Sequence, residues 1–307
     1  MVLAIGTAAY DLFFPLSGWL EENHKYEIAA SQESGGGPAA NAAYLLSLWG
    51  VPAALACVLG DDLYGRRVLE EFRQAGTDLS LTEVRTGAST PLSVILVNAA
   101  NGSRTLVNRL PPAEPLCFGP AALTALAGLA PDVLLFDGHQ PEASLQAMAM
   151  FPRARTILDA GSRRRGTELL APRVEFLVPS ERFARTMTGE DDLDSPEGGR
   201  RCLEALSRLN GREVVVTLGE RGVLYLEGGR LRRLPAFPVR AVDTTGAGDI
   251  FHGAFAYGVL QDWALSRRVR FAAMAAALSV TRPGGRASIP ALAEVRAAIS
   301  AKEASAG

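Results

Sequence analysis

Lysine is nearly missing from this chain: Lys25 and Lys302 stand alone against 29 arginines in 307 residues. Neither lies in a G-x-x-x-x-G-K-[ST] run, which excludes a Walker A phosphate loop. Neither sits in a V-A-I-K-like strand, which excludes the protein-kinase arrangement. Both occupy polar surroundings, which argues against Schiff-base chemistry on a buried lysine. Cysteine is scarce as well. Cys57, Cys117 and Cys202 are odd in number, far apart and outside any C-x-x-C spacing. A disulfide framework or zinc site is therefore not expected, and a reducing cytoplasm is. No apolar run approaches the length of a membrane span. The apolar stretch MVLAIGTAAYDLFFPLSGWL has no basic leader and is broken by Asp11 and Pro15, so it reads as a buried strand and a loop. A net charge of −2 leaves no electrostatic footprint for nucleic acid or an anionic membrane.

What the chain does have is 48% hydrophobic and 21% charged residues, the profile of an ordinary globular protein. Apolar segments 2–6, 53–60, 132–137, 156–160, 176–179 and 213–219 read as strands. They alternate with helical patterns over 38–49, 62–75, 120–129, 142–151, 181–188 and 197–209. Such alternation predicts an α/β fold with a mostly parallel central sheet covered by helices on both faces. The last third reads as helices over 247–261, 265–280 and 291–301. Segments 11–34 and 89–109 break the pattern. In the second, 92-LSVILVN-98 and 104-RTLVN-108 form a hairpin about 99-AANG-102. A hairpin cannot easily extend a parallel sheet, so these segments are expected to form a small β-sheet lid on a single domain of residues 1–307.

The chemistry concentrates in 243-DTTGAGDIFHGAF-255. Gly246, Ala247 and Gly248 put small residues where a helix begins, leaving its first backbone N–H groups free to bind an anion. An acid beside such a site would repel a phosphate unless it had another task. Asp249 can take the proton of a hydroxyl that attacks phosphorus, while the N–H groups stabilise the transferring charge. A lone GAGD would read as a tight turn with an acid favouring the helix dipole.

With its companions the segment resembles the second signature of the ribokinase/PfkB family of carbohydrate kinases. The first signature is similar to 35-GGGPAANAAYLLSLWG-50, and 60-GDDLYGRRVLEEFRQAGTD-78 resembles the stretch between them. The resemblance covers nearly the whole chain. It implies a ribokinase-like three-layer sandwich with a β-sheet lid, ATP and Mg²⁺ as cofactors, and Asp249 as base. It implies further that Asp11, Gly36, Gly37 and Asn41 bind the sugar, and that Ser180, Thr217, Gly219 and Gly222 surround the nucleotide. The loop 281-TRPGGRASIP-290 resembles one that closes over adenine and, in many relatives, a monovalent cation such as K⁺. The family's Asn-x-x-Glu magnesium motif is missing: Ser180 and Phe183 stand at its ends, and Glu181 is the one candidate to replace it through water.

Substrate choice is expected to lie in the lid and the strand ends beneath it. Arg104 reads either as an anion clamp or as a salt-bridged lid residue, and shares a face with Asn108 if period-2 register holds. His139 reads either as a donor to the substrate or as a solvated loop residue. His252, one turn after Asp249 on the same helix, reads either as packing or as a residue behind the base that supports it. The combined motifs look most like the ketohexokinase and sulfofructose kinase branch, which implies a ketohexose phosphorylated at a primary hydroxyl. A nucleoside kinase of the same fold and a catalytically silent sugar or nucleotide sensor stay open. The apolar strand 92-LSVILV-97 points to a homodimer that covers the lid.

Overall fold

Val2–Ile5 is buried at every position, and its residues divide between two cores. Val2 and Ala4 face one core, whereas Leu3 and Ile5 face the other. That is the period-2 geometry of a strand covered on both faces. The computed structural model describes residues 1–100, 102–111 and 114–304. The chain begins β1 (Val2–Ile5), β2 (Ala9–Leu16), β3 (Gln32–Gly36), α1 (Pro38–Leu48), β4 (Ala53–Ala56), β5 (Val58–Gly60) and α2 (Leu63–Ala75). It continues with β6 (Glu83–Arg85), β7 (Leu92–Asn98), β8 (Arg104–Arg109), α3 (Pro120–Leu129), β9 (Val133–Phe136), α4 (Pro141–Met150) and β10 (Arg155–Ala160). Next come α5 (Arg165–Leu170), β11 (Phe176–Pro179), α6 (Glu181–Thr188), α7 (Pro196–Asn210) and β12 (Glu213–Thr217). The last elements are β13 (Val223–Glu227), β14 (Arg230–Leu234), α8 (Ala247–Leu260), α9 (Leu265–Ser279) and α10 (Leu292–Ala304).

The central sheet runs β14-β13-β12-β11-β10-β9-β1-β4, parallel from β12 to β4. Helices α1, α2, α8, α9 and α10 cover one face, and α3 to α7 cover the other. This is the three-layer sandwich expected from the sequence. Each fully buried Leu, Ile or Phe contributes about 1.5–3 kcal/mol, so a core of this size holds the strand ends in fixed relation. Local signals agree with it. Asp62 caps α2 by accepting from Gly65 N at 2.8 Å, and Gly76 ends that helix at φ 75°.

The lid is a four-stranded sheet, β3-β2-β7-β8, in which β2 and β7 run parallel. It is drawn from the two segments that broke the alternation, starting at Ala9 rather than Asp11. Of the expected turn 99-AANG-102, Asn101 lies outside the described residues.

The structure departs from the sequence reading in three places. The strand over 53–60 divides at Cys57: β4 stays in the central sheet, and β5 leaves it to pair with β6. The segment after 219, to which the sequence reading gave no element, carries β13 and β14, an antiparallel hairpin on the sheet edge. Its signal was legible in the Gly228-Gly229 pair, which takes φ 57° and 72° in a two-residue turn. The short helix α5 was not anticipated.

Candidate active site

The carboxyl ends of β10 and β11 lie beside the first turns of α8, where His252 meets Asp159 and Val178 O, and such strand ends are where open parallel sheets bind ligands. Helix α8 starts at Gly246, whose φ of 75° no β-branched residue would adopt. The first intrahelical bond runs from Ile250 N to Gly246 O at 2.9 Å. The N–H groups of Gly248 and Asp249 therefore precede the helical ladder, and a Cβ at Gly248 would meet nothing within 4 Å. Asp243 fixes the approach to this turn. Its carboxylate accepts from Thr245 N at 2.8 Å and from Gly284 N at 3.0 Å, joining the signature to the 281–290 loop.

Asp249 receives a hydrogen bond from Asn41 Nδ2 at 2.7 Å on Oδ2. The amide is oriented from its other side. Arg286 Nε donates to Asn41 Oδ1 at 3.1 Å, and Arg286 Nη1 pairs with Glu71 Oε2 at 2.6 Å. Glu71 in turn accepts from Gly35 N at 2.9 Å. Arg286 is buried between the rings of Tyr44 and Phe72. The low-polarity surroundings push the Asp249 carboxyl up to about 7, and the neighbouring Asp159 charge adds to the rise. The Asn41 hydrogen bond and His252 oppose it.

Asp11 lies on the lid face that looks into this cleft. Strand register aligns Ser34, Asp11, Ser93 and Asn108 in one row across all four lid strands. Burial pushes the Asp11 carboxyl up to about 6, against the hydrogen bond from Ser93 and the charge of Arg286. A Cβ at Gly36 would stand 2.0 Å from Asp11 Oδ2, so glycine there is what lets the carboxylate reach the backbone. Gly37 follows at φ 97° as the N-cap of α1. The structure thus brings Asp11, Gly36 and Asn41 close to Asp249 and the Gly246 turn that starts α8, with Gly37, Ala247 and Gly248 as their chain neighbours.

Arg104 and Asn108 do share the Asp11 face. Among the described residues Arg104 makes no ion pair, however: its Nη1 donates to Thr244 Oγ1 at 2.6 Å, tying the lid to the 243–249 signature. His139 is not a solvated loop residue. Its Nδ1 lies 3.0 Å from Asp137 Oδ1, and its Nε2 meets Arg164 Nη1. It lines a cavity of about 410 Å³ with Thr7, Ser89, Pro91, Leu110 and Gln140. Asp137 is buried, yet its carboxyl is held below the usual range. His139 and the N–H groups of Thr7 and His139 outweigh burial, the largest single influence, which acts the other way.

A second, open groove of about 620 Å³ is lined by Ser180, Glu181, Arg182, Arg185, Thr217 and Gly219. Ser180 caps α6 by accepting from Phe183 N at 3.2 Å and donates to Gly161 O at 2.8 Å. One of the expected nucleotide-side residues is placed otherwise. Gly222 lies against the backbone of Leu234, where a Cβ would approach the carbonyl oxygen to 2.0 Å, so it serves the β-turn and not the groove. Glu181 is bound to Arg185 and Arg221, so its carboxylate is not free to replace the missing magnesium acid. Phe183, at the other end of that motif, is fully buried. Among the described residues no group of three or more His, Cys, Asp or Glu could hold a metal ion. The site nonetheless suits a phosphate-borne cation, since magnesium keeps phosphate and water ligands. Among the described residues, the buried Thr245 Oγ1 has no hydrogen-bond partner beside the open helix start. Sequence reasoning missed Glu71, Asp137, Asp159, Arg164 and the Arg286 side chain. Of these, only the charge within the glycine-rich 284-GGR-286 was a local signal.

Three comparisons bear on the site. A family model described as pfkB family carbohydrate kinase matches residues 1–292. The chain is 26% identical to the ribokinase of Haemophilus influenzae over 285 residues, covering 91% of this chain and 90% of that one. It is 28% identical to fructokinase-1 of Zea mays over 297 residues, covering 88% and 89%. Among solved structures, Arabidopsis thaliana ribokinase complexed with ribose and ATP superposes with a TM-score of 0.81 at 23% identity. That match covers 96% of each chain and speaks for the fold.

Proposed function

Because the chain belongs to the pfkB family of carbohydrate kinases, we propose that it transfers the γ-phosphoryl group of ATP to a sugar hydroxyl, with Asp249 as the base. The observation that carries this reading is the 2.7 Å pairing of Asn41 with Asp249 beside an open helix N-terminus. Asn41 occupies one carboxylate oxygen and leaves the other to accept the proton of the attacking hydroxyl. A carboxyl pushed up to about 7 is well matched to taking that proton near neutral pH. The N–H groups of Gly248 and Asp249 stabilise charge on the transferring group without reorganising. Bound with the nucleotide, Mg²⁺ neutralises phosphate charge, a task for which this chain has almost no lysine. Ser180, Thr217 and Gly219 border the groove that takes the nucleotide. The 281–290 carbonyls, held by Asp243 through Gly284, are the place for a monovalent cation such as K⁺.

The sugar lies under the lid against Asp11, Gly36, Gly37, Asn41 and His139, with Arg104 holding the lid down and Asn108 in the Asp11 row. The motifs favour a ketohexose taken at a primary hydroxyl. The cavity of about 410 Å³ beside His139 supports, as a second reading, a nucleoside acceptor. On the outer lid face, Leu12, Val94 and Val107 form an apolar row, and Val107 is 60% exposed. A lid-to-lid homodimer would cover that row. Three free cysteines suit the cytoplasm, and no helix among the described residues is long and apolar enough to cross a membrane.

An ATP-consumption assay with Mg²⁺ and K⁺ over ketohexoses, pentoses and nucleosides tests the reading. Sugar-dependent turnover supports it, turnover with nucleosides alone selects the second reading, and no turnover with any acceptor overturns both.

A further inference from the structure

His252 is almost wholly buried, one helical turn beyond Asp249, and both of its ring nitrogens face acceptors. Nδ1 lies 2.6 Å from Gly248 O and 3.2 Å from Asp159 Oδ2, while Nε2 lies 2.9 Å from Val178 O. A neutral imidazole carries one proton, so either tautomer would press a ring lone pair against a carbonyl oxygen. Only the doubly protonated ring satisfies both sides, and Asp159 then stands as its counter-ion. We propose that His252 is a positioning residue for the catalytic base: an imidazolium that clamps the first turn of α8 through Gly248 O and pairs with Asp159 beneath Asp249.

The arrangement has two consequences, and both rest on the reading of Asp249 as base. Gly248 O belongs to the peptide whose N–H is that of Asp249. Holding that carbonyl inward therefore aims the N–H outward, toward the phosphoryl group. The second consequence is electrostatic. Asp249 is faced by Asp159 from β10, Asp11 from the lid, the Asn41 amide from α1 and His252 from its own helix. Asp159 is faced by His252 and also by Asp137, His139 and Arg164. Arg286 acts on Asp11 rather than directly on the base. Without His252, only the more distant His139 and Arg164 would oppose the Asp159 charge that acts on Asp249.

The chain has three histidines, so ring nitrogens can be followed individually by ¹⁵N NMR, with His24→Gln and His139→Gln variants completing the assignment. At pH 7 both His252 nitrogens are expected to carry protons, and a neutral tautomer there would overturn the proposal. This readout does not depend on turnover, so it stands or falls separately from the kinase reading. In kinetics, His252→Gln should move the acid limb of kcat/KM up by roughly one pH unit, with KM for the sugar little changed. The double variant His252→Gln/Asp159→Asn should bring the limb back. An evenly lowered kcat with an unmoved limb would reduce His252 to packing. A limb that the double variant fails to restore would break the pairing with Asp159.

Discussion

Asn41 and Asp249 are 208 residues apart in sequence, yet Asn41 Nδ2 lies 2.7 Å from Asp249 Oδ2. The bond joins the helix that follows the glycine-rich 35–37 turn to the helix that opens the DTTGAGD signature. It also decides which carboxylate oxygen is left for substrate. Asp249→Asn keeps the shape and the Asn41 contact but cannot accept a proton. Turnover is expected to fall by about 10²–10⁴-fold, with sugar and nucleotide KM changing little. Steady-state kinetics decides this, and near-normal kcat would remove Asp249 from the role of base.

The same carboxyl sets the pH response. Its value near 7 means that the base is protonated below neutrality, so kcat/KM should decline as pH falls through 7. Stability runs the other way. A carboxyl raised on folding favours the native state at low pH, and that advantage is lost as pH rises from about 4 through 7. Asp249→Asn should therefore melt above the parent protein at pH 8, with the difference closing by pH 4. A pH-independent offset in thermal melts would contradict the assigned cause.

Arg286 holds the Asn41 amide from behind and is itself held by Glu71. Removing the guanidinium leaves the Glu71 carboxylate without its counter-ion and the Asn41 amide oxygen without its donor in a largely buried place. Arg286→Met is expected to cost about 3–5 kcal/mol in urea denaturation, and to lower kcat through the freed Asn41. A loss below about 1 kcal/mol would place Arg286 among ordinary surface ion pairs.

At Gly36 a methyl group would overlap the Asp11 carboxylate. Gly36→Ala should cost about 1–3 kcal/mol and raise KM for the sugar more than KM for ATP, because the displaced group faces the acceptor side. Equal effects on both constants in a two-substrate analysis would argue against that placement.

The lid latch gives a separate test. Arg104 reaches Thr244 across the cleft, and both side chains sit at the rim. Arg104→Ala should raise KM for the sugar several-fold while leaving the melting temperature nearly unchanged, since an exposed hydrogen bond contributes at most about 1 kcal/mol. Differential scanning calorimetry and initial rates together check it, and a large drop in melting temperature would make the contact structural instead.

Much of this protein was legible in its sequence because it is local. Alternating apolar segments announced the parallel sheet, the broken segments announced the lid, and small residues before Asp249 announced a helix start with free N–H groups. The near-absence of lysine excluded other ways of holding phosphate. Tertiary structure alone decided the rest, because it depends on which distant side chains share a small volume. Phe183 and Glu181 sit two residues apart, yet one fills the core and the other is taken by Arg185 and Arg221. Arg286 belongs to a loop that read as backbone, but the close approach of Gly35 and Glu71 draws its side chain under Asn41. The sequence left His252 open between packing and support of the base, and only the positions of Val178 O and Asp159, on two neighbouring strands, show both its nitrogens facing acceptors. Periodicity reports which way a side chain points, whereas a charge's surroundings are set by long-range packing, and those surroundings give Asp249 its task.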